Sequence, residues 1–185
     1  MRLLVDRLYR LAVWLSALCL VLIAVLVGAQ LAARLIDEAL KLFGLAPFGL
    51  VILSLAEIAG YLLAAASFLA LAGTLKGGAH IRVTMVLSAF GERARRWLEL
   101  WAFAFASAFC AYMTWSIGKF AWDSYRFHEV SPGVIPVPLA IPQAAMALGI
   151  AVLTIALIDE LILVWRAGRP SFRIVVDAIT LGKEG

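Results

Sequence analysis

The side chains of this 185-residue chain that could do chemistry are few, and their spacing limits what that chemistry can be. Glu57 is the only charge well inside an apolar run. A carboxylate deep in hydrocarbon costs at least about 2.5 kcal/mol unless it finds a partner. Such a residue serves either as a proton or ion site or as a polar tie between helices. The tie is the stronger expectation, because a transport site gathers several convergent polar groups and broken helices, and the sequence shows neither. Asp159, Glu160 and Glu99 fall near the ends of other apolar runs, where water or a neighbour such as Arg166 can satisfy them. His80 and His128 are separated by one apolar run, so they cannot face each other as haem ligands. Cys19 and Cys110 form no C-x-x-C pair and read as small buried hydrophobes. Without a metal-ligand cluster, a phosphate loop or a nucleophile with its base, no enzyme activity is expected, nor any cofactor in this chain.

The elements that hold these residues follow from composition. Hydrophobic residues make up 64% of the chain and charged residues 15%, too little polar surface for a small soluble domain. Four continuous apolar runs, 11–33, 48–75, 97–120 and 142–165, each match the roughly 20 residues that cross a bilayer as a helix. They do not alternate as barrel strands do. The expectation is one all-α integral membrane domain over residues 1–185 with four transmembrane helices. The first run exceeds the core of a signal peptide and is expected to remain.

Lys and Arg placement sets the orientation. Arg2, Arg7, Arg10, Lys76, Arg82, Arg93, Arg95, Arg96, Arg166, Arg169, Arg173 and Lys183 all fall on one side of such a topology. Only Arg34, Lys41, Lys119 and Arg126 fall on the other, so both termini are expected in the cytoplasm. The net charge of +4 then describes an inner membrane face against anionic lipid and not a nucleic-acid surface.

The connections carry patterns of their own. In "RLIDEALKLFGLAP" the apolar residues recur at spacings of three and four, predicting an interfacial helix over about 35–44, ended by Gly44 and Pro47. In "RVTMVLSAFGERARRW" a similar stripe predicts a second interfacial helix over about 82–96 on the inner side. Gly77 and Gly78 release the chain from the second span, with His80 and Arg82 at the corner as a brace or as solvated headgroup contacts. The outer segment "SPGVIPVPLAIP" holds four of the six prolines and should be extended, with Pro142 in the first turn of the fourth helix. Gly60, Ala64, Ala65, Ala66 and Ser67, and later Ala145 and Gly149, permit close helix approach. Most tryptophans fall near the predicted interfaces.

Together, an early glutamate in the second span, "GGAHIRV" at its end, the amphipathic stretch after it and "SPGVIPVPLAIPQAAMALG" leading into the fourth are similar to a known family. From about residue 10 to 167 the chain resembles the small membrane (Q) subunit of tripartite ATP-independent periplasmic (TRAP) transporters, the DctQ-like family. The resemblance implies a bacterial inner-membrane protein with no catalysis of its own. Its implied partners are a large multi-spanning elevator subunit, which would hold the substrate and sodium sites, and a periplasmic substrate-binding protein. On that pattern Glu57 matches the family's acidic residue, His80, Arg82 and Val83 its "H-I-x-V" turn, and Pro138 and Pro142 the approach to the last span. The structural or partner-contact candidates are then Glu57, Tyr61, His80, Arg82, Pro138, Pro142 and Gly149.

The implied function is an accessory scaffold for sodium-driven uptake of an organic acid, with membrane lipids as further partners. Two other readings compete with it. A self-contained homo-oligomeric channel or transporter built around Glu57 predicts flux from the chain alone. A quinone-dependent redox enzyme would need a reactive Cys19 or Cys110. Nothing in the residues names the solute.

Overall fold

A computed structural model describes residues 2–47, 49–76 and 91–167. The described residues form four helices: α1 (Arg2–Leu42), α2 (Leu55–Lys76), α3 (Glu92–Arg126) and α4 (Ala140–Ala167). All four are long and apolar enough to cross a membrane. At 1.5 Å per residue α2 measures about 33 Å, close to a bilayer core of about 30 Å. The 41 residues of α1 reach about 61 Å, well beyond it.

Two helix boundaries differ from the pattern-based reading. Residues 35–42 continue α1 without a break, where the sequence suggested a separate interfacial helix over 35–44. The spacing that marks an amphipathic helix cannot show whether that helix is detached from its predecessor, and no glycine or proline lies between Ala33 and Leu35 to force a break. The end itself is as expected. Gly44 adopts φ +72°, Leu45 N donates to Leu40 O at 2.9 Å and Gly44 N to Lys41 O at 3.0 Å, which together make a Schellman cap.

The second helix starts at Leu55 rather than near residue 48. The chain before it is held beside α1 by side chains: Gly49 N donates to the Asp37 carboxylate at 3.2 Å, and Ile52 N to Gln30 Oε1 at 2.6 Å. Those backbone donors are satisfied without helix, so residues 49–54 of an apolar run that could have been helical stay outside it. Of the second predicted interfacial helix, residues 92–96 form the first turns of α3, while 82–90 lie outside the described residues.

The helices pack in the order α1, α2, α4, α3: α2 lies against α1 and α4, α4 against α2 and α3, and α1 touches α4 only lightly. The arrangement is an open row in place of a closed four-helix bundle. A cluster including Tyr9, Leu69, Ala72, Leu75, Phe103, Leu153 and Ala156 forms its core. Close backbone approach and short polar links hold adjacent helices, as expected where lipid removes the hydrophobic drive between them. Ser16 Oγ donates to Ala66 O at 2.8 Å between α1 and α2, and Thr114 and Thr154 hydroxyls meet at 3.2 Å between α3 and α4. Gly73 faces Val13 so closely that a Cβ would collide with its Cγ2.

Both ends of the described chain lie at the same end of the row. Lys76 Nζ, at the foot of α2, reaches Asp6 of α1 at 2.9 Å and Asp159 of α4 at 3.7 Å, and stands 4.5 Å above the Tyr9 ring.

Candidate partner-contact site

The end of the row opposite the start of α1 and the end of α4 carries two connections, 43–54 and 127–139, and Glu57 joins them. Because α2 begins at Leu55, Glu57 sits in its first turn and not well inside the span, as the apolar run alone suggested. There the unpaired amides of a helix start favour a negative side chain. Ser54, at φ +56°, accepts Glu57 N at 3.1 Å and Ile58 N at 3.0 Å through its carbonyl and so starts the helix.

Tyr61 lies one turn further along, and its hydroxyl donates to Glu57 Oε1 at 3.0 Å. The other carboxylate oxygen occupies the space where a side chain on residue 133 would begin, so Gly133 must lack one for Glu57 to rest there. Ile135 N donates to Ser54 Oγ at 3.2 Å, a second link from the proline-rich segment to the start of α2.

The segment is also held by contacts of its own. His128 takes φ +53° and ends α3 in a Schellman cap, with Glu129 N bonded to Ser124 O at 2.9 Å and His128 N to Tyr125 O at 3.3 Å. Ser124 Oγ donates to Glu129 Oε2 at 2.6 Å. Val130 and Pro138 then form an isolated antiparallel bridge, closed by Ser131 N to Val137 O at 2.9 Å and Leu139 N to Glu129 O at 3.0 Å. Pro138 has no amide to give, and the bridge draws its donors from the residues on either side.

The sequence-derived candidates therefore separate into groups. Glu57 and Tyr61 meet in one site. Pro138 stands exposed on the segment docked there. Pro142 is buried in the first turn of α4, where its missing N–H costs nothing. Gly149 is used inside the chain: a Cβ on it would meet Phe68 C at 2.5 Å and Leu69 N at 2.8 Å, so α4 rests directly on the α2 backbone. His80 and Arg82 lie outside the described residues.

Ser54 and Gly133 were missed as site residues. The "PG" dipeptide signals a turn, but nothing local tells which side chain fills the space beside the glycine. The terminal acids find neighbours, as expected, although the partner of Asp159 is Lys76 and not Arg166. Glu160 is 1% exposed, packed within the row. Glu99, 7% exposed, lies 3.4 Å from Arg95 Nε.

Around this site stand large apolar side chains open to the surroundings: Phe43, Leu50, Val51, Phe127, Val134 and Ile135. No group of three or more His, Cys, Asp or Glu able to hold a metal occurs among the described residues. The arrangement ties the 127–139 connection to the start of α2 and leaves apolar side chains open for contact.

The family profile described as "Tripartite ATP-independent periplasmic transporters, DctQ component" matches residues 46–167. This chain belongs to the DctQ family. The match begins in the α1–α2 connection and ends with α4, so it contains Glu57, the docked segment and the α2–α4 contact at Gly149. No curated protein and no solved structure matches the chain. As a DctQ-family protein with four membrane-length helices, it is a multi-pass small membrane component of a TRAP transporter, from a transporter family and not an enzyme family.

Proposed function

We propose that this DctQ-family chain is the stationary brace of its transporter, fixing the immobile part of a large elevator-type membrane subunit and helping a periplasmic binding protein to dock. The single observation that carries this reading is the open row. Helices that cross a membrane without closing on one another keep broad apolar faces, among them Leu18, Val25, Phe105 and Phe109, free for a larger protein or for lipid. The three-helix link at Lys76 and the docked segment at Glu57 stiffen the row at its two ends, as a frame for a moving neighbour requires.

Both termini lie in the cytoplasm on this reading, by the Lys and Arg bias, and the Glu57 end faces the periplasm of a bacterial inner membrane. The exposed Val134 and Ile135 then face the binding protein. The transported solute is an organic acid moved with sodium, and the sites for both lie in the large subunit. Deleting residues 132–137 tests the assignment. Uptake that depends on the binding protein should fall while the membrane subunits still co-purify. Undiminished uptake after the deletion would refute the docking role.

A further inference from the structure

At the end where α1 begins and α4 ends, α3 and α4 form a groove of about 610 Å³ lined by Trp97, Leu100, Trp101, Phe105, Leu161 and Trp165. Its lining is almost wholly apolar. The mouth is cationic. The first turns of α3 read "ERARR", with Arg93 one turn before Trp97 and Arg96 one turn before Leu100, so both head the rows of side chains that line the groove. Both arginines are exposed. Arg96 Nη2 donates to the Trp165 carbonyl at 2.7 Å, which holds its guanidinium at the rim between the two helices. Arg95 is instead directed to Glu99.

We propose that this groove is a site for one anionic phospholipid, with an acyl chain along the tryptophan walls and the phosphate between Arg93 and Arg96. A guanidinium binds a phosphate diester through paired, charge-assisted hydrogen bonds. Arg96 is already oriented by the Trp165 carbonyl, so binding orders little that was free. Tryptophan at the groove mouth suits the boundary between acyl chains and headgroups. A helix from a protein partner would cover the arginines with apolar surface and leave their charge unanswered.

The opposite end of the same helix pair supplies an internal comparison. A groove of about 810 Å³ lies there, lined by residues including Gly118, Ala121, Trp122, Tyr125 and Ile141. Asp123 stands between Lys119 and Arg126 in the last turns of α3, so acid accompanies base at that end of the helix. On this proposal, selectivity for anionic lipid belongs to the groove headed by Arg93 and Arg96.

The test uses the full chain with whatever membrane partner co-purifies, placed in phosphatidylcholine nanodiscs with Trp14, Trp115 and Trp122 changed to Phe, and the groove signal is the difference from the same preparation with Trp97, Trp101 and Trp165 also changed to Phe. Tryptophan fluorescence is then quenched with acyl-brominated phosphatidylglycerol or acyl-brominated phosphatidylcholine. The anionic lipid should quench at roughly thirtyfold lower mole fraction, from two arginines near an anionic surface. Arg93→Gln with Arg96→Gln should abolish that preference, while Arg126→Gln keeps it. A helical circular dichroism spectrum identifies folded variants, and Arg96→Lys, which keeps the charge, should retain part of the preference. Equal quenching by the two lipids overturns the proposal. Absence of quenching by either lipid also overturns it, because a protein then fills the groove.

Discussion

The Glu57 carboxylate lies over Gly133, filling the space that any side chain at position 133 would need. One acid thus joins the start of a membrane helix to a connection more than seventy residues later in sequence, and the Tyr61 hydroxyl at 3.0 Å holds it in place.

Gly133→Ala should therefore displace the carboxylate and loosen the segment. The expected cost is about 1 kcal/mol against the wild type, and less than half of that when Glu57 is already Ala. A thermal-unfolding double-mutant cycle in detergent measures the coupling. Equal losses in the two backgrounds would mean that the two residues do not share space.

Gly149→Ala should be more damaging, although the change is the same single methyl. At position 133 the obstacle is the far end of a flexible side chain, whereas at 149 it is the Phe68–Leu69 backbone of α2, which cannot turn aside. Parting α2 from α4 is expected to cost about 1–3 kcal/mol. Denaturant titration of purified protein checks the order, with Gly149→Ala less stable than Gly133→Ala.

These two glycines show how far the sequence could be read. Apolar runs give the number of helices and their approximate centres, because a bilayer requires a run of fixed length. Small residues at 145 and 149 indicate close packing as well. The sequence does not say that Gly149 is used within the chain, since one small-residue pattern serves an internal neighbour and a partner equally. Glu57 stands out from sequence because it is a charge in an apolar setting. Its contact with Gly133 is long-range and leaves no local pattern. The start of α2 was misplaced for a similar reason: the donors of Gly49 and Ile52 are taken by Asp37 and Gln30 of another helix.

His128 holds a left-handed conformation at the end of α3, where glycine is the usual residue. His128→Gly should stabilise the chain by up to about 1 kcal/mol, through relief of the steric cost at a side chain with φ +53°. A rise in unfolding temperature checks it. A fall would show that the imidazole makes a contact worth more than the strain.

The order of helices can be tested by oxidation. The Thr114 and Thr154 hydroxyls are 3.2 Å apart, so Thr114→Cys with Thr154→Cys, in a Cys19→Ala and Cys110→Ala background, should form an intrachain disulfide between α3 and α4. The native Cys19 and Cys110 lie on α1 and α3, at opposite edges of the row, and should form none under the same oxidant. Mobility on a non-reducing gel distinguishes the outcomes. A native Cys19–Cys110 bridge within one chain would require a closed bundle.

The central claim is that the open row is completed by a larger membrane subunit. A mild-detergent purification of the tagged chain from its native membrane, followed by mass spectrometry of the intact assembly, tests this directly. A much larger multi-spanning protein in about one-to-one ratio is the expected result. Recovery of the chain only as a homo-oligomer, with ion or solute flux from that oligomer alone, would contradict the brace and return Glu57 to the centre of a transport site.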